Sequence, residues 1–310
     1  MSMLFSRTSL GVEINPSGIA FALLGGSSAE PRLERVAFAP LAPGCLRVSL
    51  RETNILDPQS FSDTVRNAHN LLLHSGKRLS VTLPDTVGRI IMLDVEGRFK
   101  SRAEGLDIIR WKLKKNIPFE IADTHLDYQQ LCVRENGDMA LMVALVSRAV
   151  ISQYEDLLMA AGFTPARIDF NSFNLYRAFE NRLAPQDDVT LITFYDSTLS
   201  IMVFADSLLE FQRVKELSDS SGVDSRVYME INSSLKVYRD RFPERAVNHV
   251  SCIAPPDVAR EFCGMVAEAT EVEPALLEIK SVVRPSDSAP ADQESLFPFT
   301  TAIGAALRSL

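Results

Sequence analysis

The residues of this sequence that could do chemistry lie in a short turn near its beginning. The stretch LGVEINPSGIAFALL, residues 10–24, has two apolar arms joined by Asn15, Pro16, Ser17 and Gly18. These residue types supply the dihedral angles and local hydrogen bonds that a hairpin needs. Backbone amides and a serine hydroxyl in such a turn can also hold a phosphate group. The first question is therefore whether this turn binds phosphate.

Composition and charge limit the kinds of protein that this chain can be. It has 310 residues, 46% hydrophobic and 23% charged, which is enough for two lobes with buried cores and argues against general disorder. The net charge of −8 argues against a nucleic-acid-binding protein. Four scattered cysteines and four scattered histidines predict neither a metal site nor disulfides, and favour a cytoplasmic protein. We expect no secretory signal and no membrane span.

One local cluster of positive charge departs from this acidic balance. Arg110, Lys112, Lys114 and Lys115 surround Trp111, the only tryptophan of the sequence. The alternation of charged and bulky residues predicts an amphipathic helix with a solvated face. We interpret the charges as that solvated face rather than as a binding patch. We expect Trp111 to anchor the helix on its subdomain.

The order of predicted elements indicates an α/β protein with an internal repeat of architecture. Residues 10–83 predict three antiparallel strands, a helix and a fourth strand, and the same order returns in residues 189–253. Residues 255–269 predict a further helix. Residues 280–294 are rich in Ser, Pro and Asp and predict an exposed loop.

These elements divide the chain into two lobes. The predicted first lobe comprises residues 1–87 and 149–184, with a small α+β subdomain inserted at residues 88–148, and the second lobe comprises residues 185–310. The insertion is predicted to carry a helix at about residues 101–116. The closing residues 297–310 predict a short helix, whose small residues suit close packing on the first lobe.

Several stretches resemble the PilM-type proteins of type IV pilus assembly, at matching positions over nearly the whole chain. The most specific are KNIPFEIADTHLDYQ at residues 115–129 and TAIGAALR at residues 301–308. The resemblance implies a two-lobed actin-like fold with a small subdomain inserted in the first lobe, as in the related cytoplasmic module of type II secretion. It also implies a cytoplasmic protein, peripheral at the inner membrane, that binds the N-terminal tail of a PilN-like bitopic protein and other assembly proteins.

The resemblance also places a nucleotide site between the lobes, and this chain departs from the family pattern there. The first phosphate turn of the family reads Asp-Ile-Gly-Ser-Ser-Ser followed by Ile-Lys, where this chain has Glu13, Asn15, Ser17 and Ala20. Loss of the glycine hinders close approach of backbone amides to a phosphate. Loss of the lysine removes a compensating charge.

The other two nucleotide motifs depart from the pattern as well. Thr193 stands where the family has aspartate and Tyr195 where it has glycine, and Asp196 could replace the aspartate only after a shift of one or two positions. The Gly-Gly of the adenine turn is replaced by CIAPP at residues 252–256, whose prolines remove amides. Only the closing helix, with Gly304, keeps the family pattern.

Three functional hypotheses follow. The first is a non-catalytic pilus or secretion scaffold without a metal, whose degenerate nucleotide site binds ATP and magnesium weakly or not at all. The second is a related protein that still binds ATP, and the third is a small-molecule kinase of the same superfold. The candidate nucleotide contacts are Glu13, Asn15, Ser17, Asp196, Ser197 and Gly304.

For the partner, the resemblance points to the groove between the first lobe and its insertion, where the family receives an extended peptide. Phe119, Ile121 and Leu126 lie near such an edge in the sequence. We expect each of them to be a core residue rather than part of a pocket.

Overall fold

The structure, a computed structural model, describes residues 8–114, 117, 120–217 and 222–310. Its strands are β1 (Thr8–Asn15), β2 (Gly18–Gly26), β3 (Pro31–Pro40), β4 (Arg78–Leu83), β5 (Gly88–Val95), β6 (Thr124–Val133), β7 (Met139–Ser147), β8 (Thr164–Phe170), β9 (Val189–Tyr195), β10 (Thr198–Ala205), β11 (Leu208–Glu216), β12 (Val250–Ile253), β13 (Ala275–Leu276) and β14 (Arg284–Pro285). Its helices are α1 (Pro58–Leu71), α2 (Arg102–Leu113), α3 (Arg148–Ala160), α4 (Asn171–Leu183), α5 (Ser225–Arg241), α6 (Ala259–Thr270), α7 (Gln293–Leu296) and α8 (Thr300–Leu307).

The first sheet is built around β1, which pairs antiparallel with β2 and parallel with β4. Its strand order is β14-β3-β2-β1-β4-β8, so that β8 forms one edge. The predicted hairpin is present, with Pro16 and Ser17 as its two-residue turn. The carboxylate of Asp57 caps the amino end of α1, and this helix buries Phe61 and Val65 in the hydrophobic cluster beneath the sheet.

The residues between β4 and α3 form a separate antiparallel sheet, in the order β5-β7-β6, with α2 packed on one face. The hydroxyl of Ser101 accepts a hydrogen bond from the amide of Glu104, while the Glu104 carboxylate accepts one from the amide of Lys100. This reciprocal capping starts α2 where the sequence predicts it. The helix ends at Leu113, and the predicted residues 115 and 116 lie outside the described part of the chain.

Trp111 does not anchor α2, contrary to the expectation. Its side chain is 77% exposed, whereas Ile109 and Leu113 are buried in the core of the insertion. Residues two apart in a helix point about 200° apart, because one turn contains 3.6 residues. Ile109 and Leu113 therefore share the buried face, and Trp111 lies on the opposite one.

The second large sheet has the order β11-β10-β9-β12-β13. Two tight turns, 196–197 and 206–207, join its antiparallel strands, and both residues of each turn have positive φ. Such angles are typical of type I′ hairpin turns. The last strand of the predicted repeat, expected at residues 247–253, is the shorter β12 (Val250–Ile253). The helix predicted from residue 255 begins only at Ala259, because the Val258 amide donates to the Pro255 carbonyl in a preceding turn. The proposed lobe boundaries stay predictions.

The segment 280–294 has more regular structure than the predicted exposed loop. It contains β14, which pairs parallel with β3, and the first residues of α7. The amide of Ser286 also donates to the carbonyl of Leu33 at 2.8 Å. These backbone hydrogen bonds need no particular side-chain pattern, so the composition gave no sign of them.

The closing helix α8 packs tightly between β1 and α4. A Cβ atom on Gly11 of β1 would lie 1.8 Å from the carbonyl oxygen of Ala302, and one on Gly304 would lie 1.9 Å from that of Asn174. Glycine is therefore required on both sides of this helix. A hydrophobic cluster joins α8 to both large sheets; its members include Leu24, Leu33, Leu191, Met202, Ala302, Ile303 and Ala306. Among the described residues, no helix has the length and apolarity needed to cross a bilayer.

Candidate functional site: a closed cleft and an open groove

Glu13 lies where the two large sheets and α8 meet. Its side chain is on β1 and only 1% exposed. The hydroxyl of Tyr195, at the end of β9, donates to Glu13 Oε2 at 2.7 Å. The Thr301 hydroxyl, at the start of α8, donates to the same oxygen. One carboxyl group therefore links three elements that are distant in the sequence.

The second oxygen of Glu13 is also fully engaged. Its Oε1 accepts hydrogen bonds from Asn15 Nδ2 at 3.2 Å and from Asn171 Nδ2 at 3.3 Å. The Asn171 carbonyl oxygen in turn accepts from the hydroxyl of Thr82 at 2.8 Å. Four donors from four different elements or turns thus surround the carboxyl group, which satisfies its hydrogen-bonding capacity without an external ligand.

Burial controls the protonation of Glu13. The loss of water around the carboxyl group raises its pKa from 4.5 to about 7, although hydrogen bonds from Thr301, Tyr195 and Asn15 lower it. The negative charge of Asp196 raises the pKa further. Glu13 therefore changes its protonation state near neutral pH.

The network around Glu13 accommodates both protonation states. When Glu13 is ionised, the hydroxyls of Tyr195 and Thr301 both donate to Oε2. When Oε2 carries a proton, it can donate to the Tyr195 oxygen, and the Tyr195 hydroxyl can turn to the carbonyl of Pro298 at 3.2 Å. The hydrogen bonds of Glu13 that join the two sheets are therefore satisfied in either protonation state.

The amides of the first turn are engaged by Asn15 itself. Asn15 Oδ1 accepts from the amides of Ser17 and Gly18, at 3.0 and 3.1 Å, and from the Ser17 hydroxyl at 2.6 Å. Pro16 has no amide hydrogen to offer. The donors that would hold a phosphate at this turn are thus taken by a side chain of the turn.

The remaining predicted nucleotide contacts do not join this network. Asp196 and Ser197 form the turn between β9 and β10, and Asp196 is exposed. Gly304 is buried at the contact between α8 and α4, where its role is close packing. Thr193 is buried within the second sheet. The structure therefore joins Glu13, Asn15 and Ser17 through hydrogen bonds, whereas Asp196, Ser197 and Gly304 make none to these residues. Asp196 acts on Glu13 only through its charge.

A second polar link between the large sheets was not found from the sequence. Asp85 accepts hydrogen bonds from the amide and hydroxyl of Ser172, the amide at 3.1 Å. Gln212 of β11 donates to the Ser172 hydroxyl at 3.0 Å. Desolvation raises the pKa of Asp85 from 3.8 to about 6. No local motif signals this contact, because its members are far apart in the sequence.

An open groove of about 550 Å³ separates the first sheet from the insertion. Ile90, Met142 and Ala144 of the insertion form an apolar floor, and Phe170 and Pro165 of β8 form the facing wall. Both β6 and β8 are edge strands, each paired on one side only among the described residues. The groove thus offers two strand edges and apolar pockets.

Charged groups border the same groove. Arg308, just after α8, forms an ion pair with Asp169 of β8, with 3.2 Å between Nε and Oδ2. Arg167, Asp127 and Glu155 complete the rim. Both signs of charge are therefore available to a ligand.

Of the three hydrophobic residues named from the sequence, Ile121 and Leu126 do not line this groove. Leu126 is buried in the core of the insertion, as expected. Ile121 packs against that core, but it is half-buried and also lines a cavity beside Lys114 and Arg148, so the expectation of a core residue outside any pocket was wrong for it. Phe119 lies outside the described residues. In the described ranges, no three His, Cys, Asp or Glu side chains come together as metal ligands.

The sequence profile described as type IV pilus assembly protein PilM matches residues 11–217, about two thirds of the chain. The chain belongs to the PilM family. The resemblance drawn from the sequence motifs is thus confirmed. No curated protein matches the sequence.

Solved structures agree with membership of the PilM family. A chain of a PilM–PilN type IV pilus biogenesis complex is similar over 97% of this chain and 98% of its own, with a TM-score of 0.79 and 19% identity. The cytoplasmic domain of EpsL, an inner membrane component of the type II secretion system of Vibrio cholerae, is similar over 98% and 96%, with a TM-score of 0.52 and 14% identity. Together with the family match, these structures confirm the two-lobed actin-like α/β fold.

Proposed function

We propose that this PilM-family chain is a non-catalytic scaffold that binds an extended N-terminal segment of a PilN-like bitopic inner-membrane protein. The observation that carries the proposal is the open groove between β8 and the insertion, with its two edge strands. An extended peptide can add as a strand to either edge, and its alternate side chains can enter the apolar pockets. The protein would then be held at the membrane by its partner.

The neighbouring cleft supports a function without nucleotide. The amides of the first turn already bind Asn15, and the Tyr195 side chain reaches Glu13 in the space between the two turns. A triphosphate would have to displace these groups and then lie next to a carboxyl group with no lysine at position 20. We propose that neither ATP nor magnesium binds here.

Calorimetric titration with the N-terminal peptide of the PilN-like protein encoded nearby tests the partner. We expect binding that the substitution Ala144→Arg abolishes, because the long side chain fills the floor of the groove. Ala184→Arg is a matched control, since Ala184 is exposed at the end of α4 and outside the groove. Unchanged binding by Ala144→Arg, or an absence of binding by the native chain, would contradict the proposal.

Titration with MgATP tests the second part separately. We expect no saturable heat, and peptide affinity that is the same with and without MgATP. Binding in the micromolar range, or turnover of ATP, would show that the cleft accepts nucleotide after rearrangement of Tyr195 and Asn15.

A further inference from the structure

Trp111 presents a large apolar side chain to solvent on the outer face of α2. The ring is 77% exposed, although tryptophan is normally buried for most of its area. Within the described part of the insertion, the only other exposed large hydrophobic residue is Val133, at the end of β6, which is 44% exposed. Trp111 is therefore an isolated aromatic group rather than part of a broad apolar patch.

The sequence around Trp111 is strongly basic, although the protein is acidic. Residues 98–115 contain seven lysines and arginines and two acidic residues, while the whole chain has a net charge of −8. Lys114 follows Trp111 by three residues, so the two residues are neighbours on the helix surface, and Lys114 also lines a cavity that contains Glu120 and Asp123. Arg98 and Lys100 precede the other end of α2.

The two acidic residues of this segment are already engaged within it. The Glu104 carboxylate accepts the amide of Lys100 in the capping arrangement, and Asp107 forms an ion pair with Arg110 at 3.3 Å. Arg98, Lys100 and Lys114 form no ion pair with the described residues. The outer face of α2 thus has a net positive charge that is available to an external group.

We propose that the outer face of α2 binds an anionic lipid surface, with Trp111 at the depth of the headgroups and the flanking basic residues on the lipid phosphates. Tryptophan favours this depth because its ring is apolar while its N–H still needs a polar partner. Basic residues at an anionic membrane surface add an attraction that salt screens.

Two features favour a bilayer over a protein as the occupant. A stable protein interface buries about 800 Å² on each side and has a hydrophobic centre with several members. Among the described residues, charged side chains surround Trp111 and no such centre is present. Binding to a bilayer surface depends on the sum of buried apolar area and electrostatic attraction to anionic lipids, so an aromatic ring among basic residues needs no wider apolar centre.

The proposed lipid face does not overlap the groove. α2 packs on one face of the β5-β7-β6 sheet, and the groove lies on the opposite face, where Met142 and Ala144 point. Both surfaces can therefore be occupied at once. The two contacts would reinforce each other in the cell, but each can be tested without the other.

The unique tryptophan makes the test specific for this site, because all tryptophan emission comes from Trp111. The full chain is mixed with vesicles of phosphatidylethanolamine and phosphatidylglycerol, and separately with vesicles of phosphatidylcholine alone. We expect a blue shift of the emission and protection from aqueous quenchers with the anionic vesicles only. At about 1 M salt, where the Debye length falls to about 3 Å, the shift should disappear.

Vesicle flotation of variants tests the electrostatic contribution of Lys114 and the apolar contribution of Trp111 separately. Lys114→Ala should weaken the partition to anionic vesicles by about fivefold, the contribution of one basic residue near such a surface. Trp111→Ser should also weaken it. Lys236→Ala on α5 and Leu73→Ser after α1 are matched controls with exposed side chains elsewhere, and they should bind as the native chain does.

Three outcomes would overturn the lipid proposal. They are an unchanged emission with anionic vesicles, an equal response to neutral vesicles, and native flotation by Trp111→Ser. Unchanged emission with anionic vesicles would indicate that the exposed Trp111 contacts another protein instead. Because these mixtures contain no partner peptide, none of the outcomes depends on the proposed scaffold function.

Discussion

The cleft between the large sheets and the groove beside the insertion are built in opposite ways. In the cleft, the polar groups satisfy one another, since Glu13 has four donors and Asn15 binds the amides of its own turn. In the groove, the edges of β6 and β8 have no strand partner among the described residues. A ligand has to displace existing hydrogen bonds in the cleft, whereas it can make new ones in the groove. The comparison therefore favours the groove for the peptide binding that we propose, and the cleft for a role in stability.

The largest expected effect comes from moving α8, which carries one wall of the cleft. In Gly304→Ala, the new methyl group would lie 1.9 Å from the Asn174 carbonyl oxygen, so α8 has to shift. We expect a loss of about 3 kcal/mol or more in the free energy of unfolding, measured by urea denaturation.

The matched control for this substitution is Gly264→Ala in α6. Nothing lies within 4 Å of the added methyl group there, and alanine is the better helix former. This variant should gain up to about 1 kcal/mol. A native-like stability of Gly304→Ala would mean that α8 is loosely packed and that the cleft is not closed by it.

The second effect is the dependence of stability on pH. The pKa of Glu13 is raised from 4.5 to about 7, so between these values the folded chain holds a proton that the unfolded chain has lost. The stability from Glu13 is thus fully present below pH 4.5 and is lost as the pH rises through about 7. The loss is at most about 3 kcal/mol.

Glu13→Gln removes this titration and retains the shape of the side chain. Its carbonyl oxygen can accept from Asn15 and Asn171, while its amide donates to Tyr195 or Thr301. We expect a flatter stability profile between pH 4.5 and 8, with a gain over the native chain at pH 8. Glu244→Gln, at an exposed position, should follow the native profile. Parallel profiles of Glu13→Gln and the native chain would contradict the raised pKa.

The third effect compares two tyrosines that both donate to a glutamate. Tyr195 binds buried Glu13 at 2.7 Å, and Tyr228 binds Glu268 at 2.9 Å on the surface. Tyr195→Phe should cost about 1 to 3 kcal/mol, most at pH 8, where the ionised carboxylate loses a donor. Tyr228→Phe should change the stability by less than about 0.5 kcal/mol. Thermal and urea denaturation measure both variants. If Tyr195→Phe and Tyr228→Phe lower the stability equally, water reaches the cleft.

The sequence allowed much of the fold to be predicted, because most elements have local signals. The hairpin turn at Pro16 and Ser17 was predicted from residue types alone, and the predicted order of three strands, a helix and a fourth strand in residues 10–83 is present. The prediction for Trp111 was wrong. Its large apolar side chain was expected to anchor the helix, but its helical position places it on the face opposite to Ile109 and Leu113. β14 was missed because backbone pairing with β3 leaves no pattern in the side chains.

The cleft could be predicted only in part. Glu13, Asn15 and Ser17 are neighbours in the chain, so their turn was recognisable. Tyr195 was recognised as a replacement of the family's glycine, but its hydrogen bond to Glu13 joins residues 182 positions apart. Asn171 and Thr301 gave no local signal at all. The polar closure of the cleft is a tertiary property, and sequence patterns describe mainly local structure.

The smallest expected effect concerns the connection between the two regions. α8 touches both, since Thr301 at its start binds Glu13 and Arg308 after its end pairs with Asp169 in the groove. The tight contacts of Gly11 and Gly304 hold the helix in one position between these ends. Loss of the Tyr195 hydroxyl should therefore not move Arg308.

We expect Tyr195→Phe to change the affinity for the PilN-like peptide by less than about twofold, or about 0.4 kcal/mol. Arg308→Ala is the matched perturbation at the other end of the same helix, and it should weaken peptide binding more, because Arg308 borders the groove directly. Calorimetry of both variants at the same pH decides the question. A larger effect of Tyr195→Phe than of Arg308→Ala would show that α8 transmits the state of the cleft to the groove, since the two sites share no side chain.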